Sequence, residues 1–379
     1  MNTTSFVDLR KIAAYLRSIL ESKKYVLLFA YNGTGKTRLS MEFKELGKQT
    51  GDRDTLYFNA FTEDLFIWDN DLEDDLSREL RLNTASRFFY GLENLEIETR
   101  IRSFLRRYTD FDFRFATKKI DEKTITYISF EREDLVDGHL KIVENIKISR
   151  GEENIFIWSF FLAIVQLAFD AESAEESYGW VKYIYIDDPV SSLDENFVIL
   201  VACDLARLIQ NNEASHKLIV STHHSLFFNV FSNELKNLLG RQWQKELSQF
   251  FVSKNGEEVG YLLSAEHGDT PSLYHLSILS DLRSAVLNDR IRIYHFNILR
   301  SVLEKTAVFF GQNGFGDCIN ENKNKEVYAR VLNLFSHGKG SIYTFREPDE
   351  THKELFKSIL NTYLDMYEFN LPEISFDNA

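Results

Sequence analysis

An α/β domain organised around a phosphate-binding loop, followed by a smaller and mainly helical part, is the architecture this sequence predicts. Three observations predict it. The loop Ala30-Tyr31-Asn32-Gly33-Thr34-Gly35-Lys36-Thr37 separates an apolar run, Tyr25 to Ala30, from a helix-like run, Arg38 to Leu46. The run Tyr183-Ile184-Tyr185-Ile186 ends in two acids, Asp187 and Asp188, as a buried strand does when it delivers carboxylates at its C-terminal end. Beyond Leu263 strand-like alternation gives way to helical spacing.

The loop holds the parts a nucleotide site requires. In the run Asn32-Gly33-Thr34-Gly35, the two glycines let the backbone aim its N–H groups at a polyphosphate. Lys36 then reaches the β and γ phosphates, and the Thr37 hydroxyl can hold Mg²⁺. The usual pattern begins with glycine where this loop has Ala30, the smallest replacement. Asp187 is expected to complete the Mg²⁺ shell and Asp188 to polarise the attacking water. The base contacts are not legible in the loop, so the identity of the nucleotide stays open.

With 379 residues the chain is long enough for two domains with separate cores. Hydrophobic residues at 44% and charged residues at 27% place it among globular proteins, not disordered or fibrous ones. A formal net charge of −14 argues against a protein that coats nucleic acid by bulk electrostatics, so any such contact must be local. The apolar run Ile155 to Phe169 is interrupted by Ser159 and Gln166 and falls short of the roughly 20 residues of a membrane span, so no membrane association is expected. The start Met1-Asn2-Thr3-Thr4 lacks the basic and apolar regions of a secretion signal. Two cysteines, Cys203 and Cys318, suggest no disulfide framework and fit a reducing cytoplasm.

Taken in order, Phe6, Leu9, Ile12, Ala13, Leu16, Ile19 and Leu20 predict an amphipathic N-terminal helix. Thr55 to Phe58 reads as a second strand. On composition alone the aromatic and polar stretch from Asn59 to Asn70 is a half-buried loop. From Leu72 to about Arg107 charged and apolar residues alternate at helical spacing, which predicts a helical insertion over about 72–123. Thr124 to Phe130 and Leu140 to Ile148 predict a hairpin about Asp137-Gly138.

Ser149-Arg150-Gly151-Glu152 then opens a long apolar segment. A hydroxyl, free backbone N–H groups and the positive end of a helix dipole meet there, a combination that suits a γ-phosphate, although such a start is most often only an N-cap. Ser191-Ser192-Leu193-Asp194 precedes a helix from Phe197 to Ile209. The strand Lys217 to Val220 follows and ends in Ser221-Thr222-His223-His224, which places His223 to bond the γ-phosphate or the attacking water. Phe250 to Ser253 and Val259 to Leu263 read as closing strands, giving domains over 1–263 and 264–379.

The order of these motifs resembles the ATP-binding-cassette ATPases, closest to their soluble branch of DNA-repair and chromosome-organising proteins. The resemblance implies an ABC-type P-loop ATPase domain. It further implies that Ser149 and Gly151 act in trans on a nucleotide held by a second subunit, with Glu152 among the nucleotide-binding residues, Asp194 in the dimer interface and His223 as the switch histidine. Arg150 stands where a signature glycine is usual, and Asp188 where glutamate is usual; the shorter acid implies slower hydrolysis. Long heptad arms are absent between the loop and Ser149.

In the C-terminal part, Arg300 and Glu304 are four residues apart, on one face of a helix, where most such pairs are solvated surface ion pairs. His337 lies in Ser336-His337-Gly338-Lys339-Gly340. Four stretches carry a closer resemblance, to the PrrC-type bacterial anticodon nucleases: Tyr57 to Leu72, Gly151 to Ser159, Ile186 to Asp194, and Tyr294-His295-Phe296 with the Arg300 and Glu304 that follow. This resemblance covers nearly the whole chain and makes the aromatic stretch from Tyr57 to Leu72 a motif, not a plain loop. It implies a metal-independent RNase triad at Arg300, Glu304 and His337, and Asp269 as a contact to the modified wobble base. It also implies cleavage of a lysine tRNA in its anticodon stem-loop and a role in stress or phage defence. A type I restriction-modification complex is implied as silencing partner, and GTP or dTTP as well as ATP as bound nucleotide. The rival reading is a repair-type ATPase whose helical part binds DNA or a protein partner without cutting RNA.

Overall fold

The computed structural model describes residues 3–49, 53–59, 66–70, 78–82, 97–120, 123–136, 139–171, 173, 176, 178–190, 193–210, 216–254, 260–266, 274–319, 330–332 and 348–367. Two compact units divide the chain, Met1–Pro271 and Ser272–Ala379. The first begins with β1 (Thr3–Phe6), α1 (Leu9–Ser22), β2 (Tyr25–Ala30), α2 (Lys36–Gln49) and β3 (Thr55–Asn59). It continues through β4 (Phe66–Asn70), β5 (Arg78–Leu82), α3 (Ile97–Leu105), β6 (Phe111–Ile120), β7 (Lys123–Val136), β8 (His139–Val143) and α4 (Arg150–Asp170). It closes with β9 (Tyr183–Asp187), α5 (Glu195–Gln210), β10 (Lys217–Thr222), α6 (Ser225–Leu239), the short α7 (Trp243–Glu246), β11 (Leu247–Lys254) and β12 (Tyr261–Glu266).

Seven of these strands form one sheet in the order β1-β12-β11-β2-β10-β9-β3. The five from β11 to β3 run parallel, and β12 and β1 close one edge antiparallel. Every residue of β2 and β9 is buried, which explains their unbroken apolar runs: a parallel strand covered on both faces has no solvent side to alternate with. One face buries Leu9, Ile12, Leu16, Leu39 and Phe43 of α1 and α2 against Val26, Leu28, Tyr185 and Ile219. Arg17 fastens this layer. Its guanidinium lies over the rings of Phe43 and Tyr183 and grips both Asp54 oxygens, at 2.7 and 3.0 Å.

The expected helical insertion over 72–123 is corrected by the structure. Its described residues belong mostly to a second, antiparallel sheet, in the order β4-β5-β7-β6 with β8 also on β7, and only α3 is helical. In β5, Leu80 and Leu82 are buried while Arg81 between them is exposed, a period of two that the surrounding charged residues disguise as helical spacing. β8 is exposed along its length and ends at Val143, earlier than expected, before Asn145 takes a φ of +57°. The expected boundary at Leu263 also moves, because β12 pairs with β11 as far as Glu266 and the first unit ends at Pro271.

α4 sits between the two sheets. Trp158 and Phe161 meet Phe58 of the first sheet, while Phe156 and Phe160 meet Phe66, Phe113, Phe115 and Phe130 of the second. A helix covered on both sides must be apolar all round, so α4, with 21 residues, is long and apolar enough to cross a membrane yet is a core helix. Its polar first turn supplies the length that the interrupted apolar run lacked.

The described elements of the second unit are helices: α8 (Tyr274–Leu287), α9 (Ile293–Phe309), a 3-10 turn (Phe315–Ile319) and α10 (Glu350–Tyr367). Phe296 packs on Phe356 at 4.9 Å between ring centres, and the buried Thr306 hydroxyl bonds the Tyr363 hydroxyl at 2.6 Å. Cys203 and Cys318 are free thiols.

Candidate functional site

Because β3, β9, β10 and β2 are parallel neighbours, their C-terminal ends bring four polar segments to one edge of the sheet. The phosphate loop leaves β2 with Gly33 at φ +80° and Gly35 at φ +108°, left-handed conformations that strain any residue with a side chain. A Cβ at position 35 would in addition stand 3.1 Å from a Leu9 methyl. The first intrahelical bond of α2 runs from Leu39 N to Gly35 O at 2.9 Å, so the N–H groups of Lys36, Thr37 and Arg38 lie at the helix mouth, where an anion is favoured.

Lys36 is 9% exposed, and its ammonium donates to Ala30 O at 3.1 Å, Tyr31 O at 3.4 Å and the Asn32 carboxamide oxygen at 3.3 Å. Asp188 Oδ2 lies 3.7 Å from it. Thr37 donates its hydroxyl to Asp187 Oδ2 at 2.7 Å across 150 residues of sequence. Asp187 is opposite Ser221 of β10 and Asn59 of β3 in the sheet register, and both donate to it, at 2.7 and 3.2 Å. Burial raises the Asp187 pKa against the lowering effect of the Ser221 and Thr37 hydroxyls. A buried carboxylate paired with a hydroxyl is a hard-oxygen donor set that fits Mg²⁺.

Asp188 takes a left-handed φ of +54° directly after β9. Its carboxylate accepts from the Thr222 hydroxyl at 3.1 Å and from His223 N at 3.3 Å, and makes a short bond with His223 Nδ1. Burial acts against its charge, but the bonds from His223 and the nearby Lys36 outweigh it and hold the carboxyl below its ordinary value. Asp188 and His223 therefore form a hydrogen-bonded pair that engages Nδ1 of the imidazole. His224 serves the fold instead, since its Nδ1 accepts from Phe227 N at the start of α6.

Ser149 caps α4. Its hydroxyl accepts from Glu152 N at 3.2 Å and Glu152 Oε2 accepts from Ser149 N at 2.7 Å, a reciprocal capping box. Arg132 of β7 holds the other Glu152 oxygen at 2.7 Å. Partial burial opposes the Glu152 charge, and the bonds from Ser149 and Arg132 outweigh it, keeping the pKa below its ordinary value. Ser149→Ala is expected to cost about 1 kcal/mol, read as a lowered melting temperature. The Glu152 contribution is full above the unfolded carboxylate pKa of about 4.3 and is lost as pH falls through its lower folded value. Glu152→Gln should flatten that part of the acid-stability curve.

Among the described residues, a Cβ at Gly151 would meet only Ser149 Oγ, at 3.9 Å, so packing within the chain gives no reason for glycine there. Asp194 accepts from Phe197 N at 3.1 Å and so caps α5.

In the second unit Arg300 donates Nε–H to Glu304 Oε1 at 2.7 Å on α9, with the guanidinium 5.4 Å from the centre of the Phe315 ring. The Arg300 side chain is 17% exposed and that of Glu304 47%. His295 is buried; its Nδ1 accepts from Arg292 N at 2.9 Å, and burial together with the Arg292 charge pushes its pKa down to about 4, so it is a neutral structural group. His337 and Asp269 lie outside the described residues. Sequence reading missed Asn59, Ser221 and Thr222, although Asn59 ends β3 and Ser221-Thr222 close β10, the signal that identified Asp187.

Loop, acids and parallel sheet define a P-loop nucleotide-binding protein, and residues 139–365 match the AAA domain family. An anticodon nuclease of Escherichia coli is 33% identical over 366 residues, spanning 89% of this chain and 88% of that protein. The uncharacterized chromosomal cassette SCCmec type IVc protein CR006 of Staphylococcus aureus is 23% identical over 323 residues, spanning 80% of this chain and 43% of its own length. The chain belongs to the anticodon nuclease family.

Proposed function

We propose that this protein is a nucleotide-gated endoribonuclease that cuts tRNA in the anticodon loop. The observation that carries this reading is the 33% identity to an anticodon nuclease across 88% of that relative's length, which takes in both units of this chain. The Arg300–Glu304 pair supports it, since a guanidinium whose orientation is fixed by a carboxylate at 2.7 Å suits planar recognition of a phosphate.

In this reading the ribose 2′-hydroxyl attacks the adjacent phosphorus and the 5′-oxygen leaves with a proton, giving a 2′,3′-cyclic phosphate and a 5′-hydroxyl. Arg300 neutralises the charge that builds on the phosphate oxygens, Glu304 orients Arg300 or exchanges a proton, and His337 serves as the other proton-transfer group. The chemistry calls for no metal. Asp269 contacts the wobble base, and lysine tRNA is the expected substrate.

The first unit is the gate. Lys36 and the loop N–H groups hold the β and γ phosphates of ATP, GTP or dTTP, while Thr37 and Asp187 hold Mg²⁺. When bound, Mg²⁺ neutralises phosphate charge and orients the terminal phosphoryl group. Asp188 polarises the attacking water, and His223, held by Asp188, bonds the γ-phosphate or that water. The spare room at Gly151 supports close approach of a second copy at Ser149 and Gly151, with Asp194 alongside. Phage defence in the cytoplasm and silencing by a restriction-modification complex complete the proposal.

Incubation with total tRNA tests it. Cleavage confined to an anticodon loop, persisting in EDTA and lost in His337→Ala, is the expected result. Intact tRNA with every nucleotide would overturn it.

A further inference from the structure

Asn59 belongs neither to the phosphate loop nor to the acid pair, yet its side chain reaches the centre of the site. The Asp187 carboxylate is held from three sides. Ser221 of β10 donates to Oδ1 at 2.7 Å, while Oδ2 accepts from Thr37 of α2 at 2.7 Å and from the Asn59 amide of β3 at 3.2 Å. Ser221 and Asn59 are the two residues opposite Asp187 in the sheet, so the strands on both sides of β9 fix the rotation of one carboxyl group. The Asn59 amide is itself oriented, for its Nδ2 also donates to the Tyr57 hydroxyl at 3.1 Å on the same face of β3. Asn59 is 9% exposed, and Phe58 beside it is pinned between Trp158 and Phe161 of α4, so the backbone is held independently of the amide.

We propose that Asn59, oriented by Tyr57, is a positioning residue for the metal of the nucleotide site: its amide fixes the Asp187 oxygen that faces Thr37. The inference rests on the reading of the first unit as a Mg²⁺-nucleotide site and gives a role to the head of the motif that begins at Tyr57. A donor on the outer side of a ligating carboxylate sets its orientation before the metal arrives, and loss of such outer partners lowers metal affinity by about 10–100-fold. The hydrogen bonds of Asn59 to Asp187 and Tyr57 bypass the phosphate loop, so the metal-dependent affinity is the one expected to change.

The test separates these two affinities. Mn²⁺ binding is followed by electron paramagnetic resonance in the presence of a non-hydrolysable nucleotide, and binding of a fluorescent nucleotide is measured in EDTA. Asn59→Leu is expected to weaken Mn²⁺ binding by about 10–100-fold, and Tyr57→Phe to weaken it less, with metal-free nucleotide binding unchanged in both. Unchanged Mn²⁺ affinity in either variant, or an equal loss of both affinities, would overturn the proposal. Tyr57→Phe keeps the ring and, because the Tyr57 hydroxyl also faces Asp187, reports on the outer partners of that carboxylate even if Asn59→Leu fails to fold. Failure of the underlying reading looks different: the wild-type chain itself would bind no nucleotide.

Discussion

Lys36→Ala is expected to weaken binding of nucleoside triphosphate by about 100–1,000-fold and to remove nucleotide control of RNA cleavage. The Lys36 ammonium is buried and held by Ala30 O, Tyr31 O and the Asn32 side chain, which pre-orients it for the β and γ phosphates of the proposed nucleotide. Each charge-assisted bond it makes to phosphate contributes about 1.5–3 kcal/mol. Two such bonds give about 3–4 kcal/mol at the lower end of that range, which is the stated range of affinity at about 1.4 kcal/mol per tenfold. The same substitution leaves the adjacent carboxylates Asp187 and Asp188 without their nearby cation, since Lys36 lowers the pKa of both. Fluorescent-nucleotide titration with a melting curve on the same sample checks the prediction. Wild-type affinity in Lys36→Ala would overturn the placement of the phosphates.

Arg300→Ala should lower cleavage of an anticodon stem-loop by about 100–1,000-fold, the usual effect of removing one donor to developing oxyanion charge. The contribution of its Glu304 and Phe315 contacts to folding should be small. The partner Glu304 is half-exposed, an i,i+4 helix pair contributes about 0.3–0.5 kcal/mol, and the Phe315 ring adds about 0.5–1 kcal/mol. Arg300→Lys should not restore the rate, because an ammonium cannot offer one N–H to Glu304 and a second, coplanar one to phosphate. Single-turnover cleavage of a labelled stem-loop is the measurement. A wild-type rate in Arg300→Ala would return the pair to the ordinary surface ion pairs that its spacing alone suggests.

The elements that were legible in the sequence are those specified by neighbouring residues. Gly33 and Gly35 mark the loop because a left-handed backbone excludes side chains, and the buried strands β2 and β9 announce themselves as apolar runs. Ser149 and Glu152 are three apart and make the capping box that this spacing allows. The second sheet was hidden for the opposite reason. β5 alternates over only five residues, and its inward Leu80 and Leu82 make sense only against Phe66 and Ile128, which lie in strands paired with it. The all-round apolarity of α4 signals cover on both sides, but nothing in its own sequence says that the second cover is a sheet.

The phosphate loop, the acids at the end of β9, the Ser149 cap and the Arg300–Glu304 face were readable from short stretches, because each depends on contacts within a few residues. The groups that surround those acids come together through the fold. Thr37, Asn59 and Ser221 reach Asp187 from 150, 128 and 34 residues away, and His223 reaches Asp188 from 35. Those meetings are fixed by strand order and register, which follow from how the apolar faces of distant segments bury one another.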